Sequence, residues 1–297
     1  MATLVLQLLT FKQAETLPPL FASLKNQTDK DWKLLVLDNG SSPEMREKQT
    51  SVIKKTEPDF PIEFFFSDKN LGFSGGHEFL YEKNNADYVM LVNDDIIFET
   101  DYIARLKKFL DENQKVGAVA GAILRWHFLE DGSVKKTEIV DSLGLGKNRA
   151  HKVFDLEAGK TFVPSSEPVE VFGVSGCLPM YRRSAVGDQL FDPTYINYKE
   201  DVDVAYRLKK TGWLAMMIPE ARAFHKRSFQ SFSSRKKISV ELQFLSYRNH
   251  WRNLRKHLVF QDWLRNGWAI IPFEAIKFFY FLFTQPSIVW RTFLDFL

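Results

Sequence analysis

A run of five apolar residues, Tyr88-Val89-Met90-Leu91-Val92, ends in Asn93-Asp94-Asp95. A buried strand that ends this way carries paired carboxylates to the rim of a sheet, where their oxygens suit Mg2+ or Mn2+ and, through the cation, a diphosphate. An Asp in a strand-to-helix turn is equally a helix cap, so the pair by itself leaves both readings open. A second acidic group, Glu200-Asp201-Val202-Asp203, opens a helical pattern that continues through Arg207. Carboxylates there either meet the helix dipole or supply a general base that takes a proton from a hydroxyl. His225 follows another strand-like segment, and its imidazole is either structural or a metal ligand.

Three more polar segments follow apolar runs: Thr10, then Asp38-Asn39-Gly40-Ser41-Ser42, then Asn70-Leu71-Gly72-Phe73-Ser74-Gly75-Gly76-His77. Asp38 could accept hydrogen bonds from a nucleobase or ribose, or belong to an ordinary turn before a helix starting near Pro43. Gly72, Gly75 and Gly76 would let a ligand approach backbone N–H groups at a helix start. Their spacing matches neither the dinucleotide fingerprint nor the P-loop.

These residues need a scaffold that brings them together. Strand-like runs at Leu4–Leu9, Leu34–Leu37, Ile62–Phe66, Tyr88–Val92 and Val116–Ala120 are interleaved with amphipathic patterns, including Leu17, Leu20, Phe21 and Leu24, and later Leu106, Phe109 and Leu110. That rhythm predicts an α/β fold with a parallel sheet, in which the carboxyl ends of four successive strands share one crevice. Between about Leu124 and Val171 the pattern loosens, and loops with a hairpin are expected around Asp131-Gly132. A second ordered block, Val171 to Phe224, holds a strand at Leu178–Tyr181, a helix near Asp201–Lys210 and a strand at Leu214–Ile218.

The 297 residues are 45% hydrophobic and 26% charged, enough for a large core and without the composition of a disordered chain. Cys177 is the single cysteine, which excludes an internal disulfide and a cysteine-based zinc site and points to a reducing compartment. The start, Met1-Ala2-Thr3-Leu4, reads as a first strand rather than a secretory signal, and a cytoplasmic location is expected. From Lys226 onward twelve Lys and Arg face four Asp and Glu, so the net charge of +3 is a basic tail on an acidic body.

That tail is rich in Trp and Phe. Its most apolar run, Ala269 to Phe283, is interrupted by Pro272, Glu274 and Lys277 and falls short of the roughly 20 residues needed to cross a bilayer. With Arg252, Arg255, Lys256 and Arg265 upstream, residues 226–297 are expected to be helical and to lie at an anionic membrane interface.

In order, the segments Thr10-Phe11, Val36 to Ser41, Asn70 to Gly76, Asn93-Asp94-Asp95, Gly176 to Arg183, Glu200 to Asp203 with Arg207, and Tyr247-Arg248-Asn249 resemble the family 2 glycosyltransferases of GT-A fold. The resemblance covers nearly all of residues 3–257 and is strongest to the bacterial rhamnosyltransferase-like branch. It implies a catalytic domain over 1–225, with a nucleotide-sugar half at about 1–122 and an acceptor half at about 123–225. It also implies an inverting, metal-dependent transfer from a nucleotide-sugar to a glycan or polyprenyl-diphosphate-linked acceptor in surface polysaccharide synthesis. The branch points to dTDP-L-rhamnose as donor, with a UDP-hexose or UDP-galactofuranose as the alternative.

By the same resemblance Thr10, Asp38, Asn70, Gly72, Gly75, Gly76, Asn93 and Asp94 contact the donor, and Asp95 with His225 holds Mg2+ or Mn2+. Asp201 is the base, with Glu200 as the second candidate, while Gly176, Cys177, Arg182 and Arg207 meet the acceptor or the diphosphate. The chain departs from the family at Lys12-Gln13, where Asn-Arg is frequent, and at His77, where Asn is usual. A sugar-phosphate nucleotidyltransferase would instead carry a glycine-rich basic loop after the first strand. A non-catalytic protein binding a membrane surface or nucleic acid would account for the tail but not for the polar strand ends. Nucleic acid is not an expected partner.

Overall fold

A computed structural model describes residues 3–226 and 239–296; residues 227–238, part of the basic tail, lie outside the described residues. The first half alternates strand and helix: β1 (Leu4–Thr10), α1 (Leu17–Lys25), β2 (Lys33–Asn39), α2 (Pro43–Lys55), β3 (Ile62–Ser67), α3 (Gly72–Glu82), β4 (Tyr88–Val92), the short β5 (Ile96–Phe98) and α4 (Tyr102–Glu112). The second half is richer in strand: β6 (Val116–Phe128), β7 (Val134–Ser142), β8 (Leu145–Lys147), β9 (Val153–Asp155), β10 (Val169–Val171) and β11 (Met180–Arg182). It continues with α5 (Arg183–Val186), a 3-10 turn at Pro193–Tyr195, α6 (Glu200–Lys210) and β12 (Leu214–His225). Three helices complete it: α7 (Val240–His257), α8 (Phe260–Thr284) and α9 (Pro286–Asp295).

The main sheet runs β10-β12-β6-β11-β4-β1-β2-β3, with β5 paired to β12 and β7 to β6. The stretch β4-β1-β2-β3 is parallel, so the four expected strand ends lie side by side on one edge. The chain order reverses at β1, which has β2 on one side and β4 on the other, and such a switch point opens a crevice for ligands. Because parallel strands here are covered on both faces, they read as continuous apolar runs. Leu4, Leu6, Leu8, Leu34, Val36 and Met90 pack with α1 and α4. Val5, Leu35, Leu37 and Leu80 pack on the opposite face with α3, and Val89, Leu91, Val204 and Leu208 join α6 to the same side.

The expected hairpin forms around Asp131-Gly132: β7, Val134–Ser142, pairs antiparallel with a β6 that extends to Phe128. The exposed outer half of β7 is Lys- and Glu-bearing, which hides a strand from an apolar-run reading. Two expectations change. β12 runs past Ile218 to His225, with a register irregularity against β6 between Ile218 and Arg222 that accommodates Pro219. The apolar run of the tail belongs to one 25-residue helix, α8, which carries Pro272 inside it. Among the described residues α8 is the one helix long and apolar enough, by length and composition, to cross a membrane.

α7 docks on α6 through buried charge. The Asp203 carboxylate accepts from His257 Nε2 at 2.7 Å and Arg207 Nε at 3.1 Å, and pairs with Lys256 Nζ at 2.8 Å. Tyr206 stacks between the rings of His151 and His257. Burial would raise the Asp203 pKa, but His257, Lys256 and Arg207 outweigh it and hold it at about 2. A folded-state pKa below the unfolded value gives stability that is present above about pH 4 and lost as pH falls through about 2. Asp203→Asn should therefore cost about 3 kcal/mol at pH 7, as for breaking a buried pair. In urea titrations the gap from the wild type should close between pH 4 and pH 2, and a pH-independent gap would remove the charge from the account.

Candidate active site

Asn93-Asp94-Asp95 does not cap a helix: it leads from β4 directly into β5. The turn is held through its backbone, where Asp95 O accepts from Trp126 Nε1 at 2.8 Å and from Lys226 N at 3.1 Å. Antiparallel pairing of β5 with β12 sets His225 opposite Ile96, which brings the imidazole beside Asp95. His225 Nε2 lies 3.2 Å from Asp95 Oδ1, and Nδ1 lies 2.8 Å from Asp141 Oδ2. Burial alone would lower the His225 pKa, but Asp95 and Asp141 carry it well above the ordinary value.

Asp95 Oδ1 is buried and has no aligned hydrogen-bond partner among the described residues. An orphaned carboxylate oxygen facing an imidazole nitrogen, with a carboxylate behind the imidazole, fits a divalent cation that a diphosphate helps to complete. Among the described residues no group of three His, Cys, Asp or Glu side chains surrounds one centre; Asp95 and His225 are the pair that could hold a cation here. Asp94 accepts from Gln13 Nε2 at 2.9 Å across the crevice between β1 and β4. Burial and the adjacent Asp95 push its pKa up to about 7.

At the end of β2, Asp38 Oδ1 accepts from Ser41 N at 3.0 Å, and Asp38 Oδ2 is buried without a partner among the described residues. Thr10 is buried beside it at the end of β1 and donates to Gln49. Asn39 stitches β2 to the glycine-bearing loop, accepting from Leu71 N at 2.9 Å and donating to Gly72 O at 2.9 Å, while Asn70 Oδ1 accepts from Gly72 N at 2.7 Å.

The glycines have different duties. Gly72 has φ +75°, and a Cβ there would lie 2.5 Å from Ile196 O. Gly76 lets α3 sit on β1, where a Cβ would meet Leu9 at 2.8 Å. The N–H groups of Phe73 and Ser74 are already engaged, by Asn197 Oδ1 and Ile196 O at 3.0 Å each. The helix start therefore shapes the crevice rather than offering those amides to a phosphate. His77 is fully buried, rests against Phe73 and Phe191, and stays neutral because burial drops its pKa to about 3. It belongs to the core.

The acidic helix joins the Asp pair through one short segment. Gly176 N donates to Asp201 Oδ2 at 3.1 Å, and Cys177 O accepts from Asn93 N at 3.2 Å. Asp201 is half-buried, whereas Glu200 is only 6% exposed, so Asp201 is the more accessible of the two carboxylates. Burial raises both carboxyls, Glu200 to about 8. Cys177 is buried, and burial lifts its thiol to about 11, so it acts here through its carbonyl.

Two expected contacts are elsewhere. Arg182 pairs with Tyr88, at the opposite end of β4 from Asp94, and its guanidinium donates to the carbonyls of Val116, Leu110 and Asn113. Arg207 donates to Asp203 and to the carbonyls of Val186, Gln189 and Leu190. Both close the fold, because their donors already face backbone oxygens. Asp141 and Gln13 reach the site without a local signature in the sequence: Asp141 lies in the loosely patterned region, and Gln13 stands at a departure from the family.

A switch-point crevice with a carboxylate turn, a facing imidazole and an acidic helix start sits on a glycosyltransferase fold of GT-A type. The chain matches the model "Glycosyl transferase family 2" over residues 8–189 and belongs to that family. It is 42% identical over 66 residues to an N-acetylglucosaminyl-diphospho-decaprenol L-rhamnosyltransferase of Mycobacterium tuberculosis, a match to 22% of this chain and 21% of that one. It is 27% identical over 117 residues to an uncharacterized protein of Haemophilus influenzae, covering 39% of this chain and 63% of the other.

Among solved structures it is similar to GalNAc-T7 with UDP, GalNAc and Mn2+, with TM-score 0.64, 14% identity, and 86% of this chain and 48% of that one covered. It is also similar to the mannosyltransferase PcManGT from Pyrobaculum calidifontis in complex with GDP-Man and Mn2+, with TM-score 0.56, 13% identity, and coverage of 95% and 76%.

Asp141→Asn keeps the shape behind His225 but removes a charge. If His225 ligates the cation, such a change behind it should weaken Mn2+ binding by about 10–100-fold. Calorimetric titration of Mn2+ in the presence of a nucleoside diphosphate measures this; unchanged affinity would detach Asp141 from the cation.

Proposed function

We propose that the chain transfers L-rhamnose from dTDP-L-rhamnose, with inversion, to a hydroxyl of a glycan or polyprenyl-diphosphate-linked acceptor in cell-surface polysaccharide synthesis. The observation that carries the transfer reading is the segment Gly176-Cys177, which ties the Asn93-Asp95 turn to Asp201 within two residues. That link supports reading Asp94-Asp95 as donor-side carboxylates and Asp201 as the acceptor-side one. The rhamnosyl donor and the lipid-linked acceptor rest on the short match to the mycobacterial relative, which spans about a fifth of that protein. A UDP-sugar is the second reading, favoured by the fold shared with GalNAc-T7.

Asp38 Oδ2, orphaned at the end of β2, would receive a nucleobase or ribose donor group, with Thr10 beside it. Asn93 and Asp94 border the ribose and phosphate, and Asp95 with His225 would hold Mg2+ or Mn2+. A bound divalent cation supplies charge stabilisation to a departing diphosphate. Asp201 Oδ2, fixed by Gly176 N, takes the acceptor hydroxyl proton as the oxygen attacks the anomeric carbon from the face opposite the diphosphate. The raised Asp201 pKa brings its basicity nearer to neutral pH.

The C-terminal helices fit the cytoplasmic face of an anionic membrane, as a peripheral attachment. Leu264, Trp268, Ile271, Phe279 and Phe283 are exposed on α8, whereas Gly267, Ile270 and Glu274 are buried on its other side. Glu274 accepts from His250 Nε2 of α7 at 2.7 Å and from Lys277 at 3.1 Å. Passing α8 through hydrocarbon would part Glu274 from His250, so the helix is suited to lying in the interface. Arg149, whose guanidinium stands 6.0 Å from the Trp268 ring, adds a cation from the body of the protein.

Asp201→Asn should abolish transfer while Mn2+-dependent binding of the nucleotide diphosphate stays within about twofold, the pattern of a group used only in the transition state. In the wild type, kcat should fall as pH drops through a value above the ordinary Asp range of about 4, because protonation removes the base. Retained turnover in Asp201→Asn would move the base elsewhere, and a donor panel that prefers a UDP-sugar would replace the rhamnosyl reading. Trp268→Glu with Ile271→Glu should lower partition onto phosphatidylglycerol-containing vesicles by roughly tenfold or more. Unchanged partition in sedimentation would leave α8 a packing element.

A further inference from the structure

The turn that precedes α6 is built from an improbable backbone. Ile196, Tyr198 and Lys199 have φ of 64°, 69° and 71°, a region that non-glycine residues enter only when the surrounding structure holds them there. What holds them is one face of α7. Asn249 is fully buried, and its Nδ2 lies 2.8, 2.9 and 2.7 Å from the carbonyl oxygens of Tyr195, Asn197 and Tyr198. Asn253 Nδ2 donates to Lys199 O at 3.0 Å, and Arg248 Nη2 donates to Thr194 O at 2.7 Å. An amide with two hydrogens facing three carbonyls is a convergent clamp, and a shorter or apolar side chain could not reach them.

The clamped turn touches both sides of the crevice. Toward the donor side, Ile196 O and Asn197 Oδ1 accept from Ser74 N and Phe73 N, and Ile196 packs on Gly72 where no Cβ fits. Toward the acceptor side, Lys199 is the residue immediately before Glu200 and Asp201 of α6. The same few residues therefore fix the start of α3 and the start of α6.

We infer that Asn249 is a positioning residue for glycosyl transfer: by holding the 195–198 carbonyls it sets the donor loop at Gly72–Ser74 and the base Asp201 in register with each other. It lies outside the span matched by the family model. The inference rests on the roles proposed above for Asp201 and the donor loop, but its structural half does not.

Asn249→Ala is tested beside Ile288→Ala, which removes a buried side chain from the α7–α9 packing without touching the turn. Asn249→Ala should lower kcat by roughly 100-fold, the scale of an ångström-sized misplacement of reacting groups. Amide exchange at Phe73 and Ser74 should speed by about tenfold or more, because their acceptors are released. Ile288→Ala should lower the melting temperature yet leave kcat and those two amides within about threefold of wild type.

Asn249→Ser, which retains one donor, takes the place of the Ala variant if that does not fold. Equal kcat losses in the two positions at matched stability, or unchanged exchange at Phe73 and Ser74, would overturn the inference. Loss of transfer in Asn249→Ala with full turnover in Asp201→Asn would keep the clamp and sink the assignment of the base.

Discussion

Carboxylates gathered at the edge of a parallel sheet repel one another and lose hydration, and this protein is arranged around that constraint. Asp94 and Asp95 adjoin in one turn, and Glu200 and Asp201 in another, each pair raising a pKa within it. The imidazole of His225 stands between Asp95 and Asp141, and Arg125 lies 3.4 Å from the far side of Asp141. The backbone shares the task through Gly176 N at Asp201. Among the described residues Asp38 Oδ2 is left without a hydrogen-bond partner, and Asp95 Oδ1 has only the imidazole of His225 at 3.2 Å; these are the oxygens that a ligand and a cation would complete.

Most of this was legible because the signals were local. Strands covered on both faces announce themselves as unbroken apolar runs, and Tyr88–Val92 has the same bounds in sequence and structure. The acids at Asn93-Asp94-Asp95 and Asp201 stand directly after or at the start of such elements, so their position followed from topology. His225 was legible only as a lone imidazole; its nearness to Asp95 depends on β12 continuing past Pro219 and on β5 pairing with it, neither of which has a local signature.

The arginines show the opposite limit. Arg182 and Arg207 were assigned to a ligand by the motifs they sit in, but a guanidinium satisfies backbone carbonyls as readily as phosphates, and sequence does not tell which oxygens will face it. Asp141 had no motif at all, since β7 carries Lys and Glu on its outer side. Pro272 misled in another way: a helix of 25 residues absorbs one interior proline when neighbouring turns remain packed.

The separation in sequence between the 195–199 turn and its clamp also has a temporal side. Tyr195 and the amide of Asn249 are 54 residues apart. The last strand of the sheet ends at His225, so during synthesis at about 5–20 residues per second the sheet and its carboxylate edge are complete for roughly 1–5 s before the side chain that orders the turn has been added. For that interval the nascent chain holds the acids of both halves without the element that registers them, and competence arrives late and in a single step with α7.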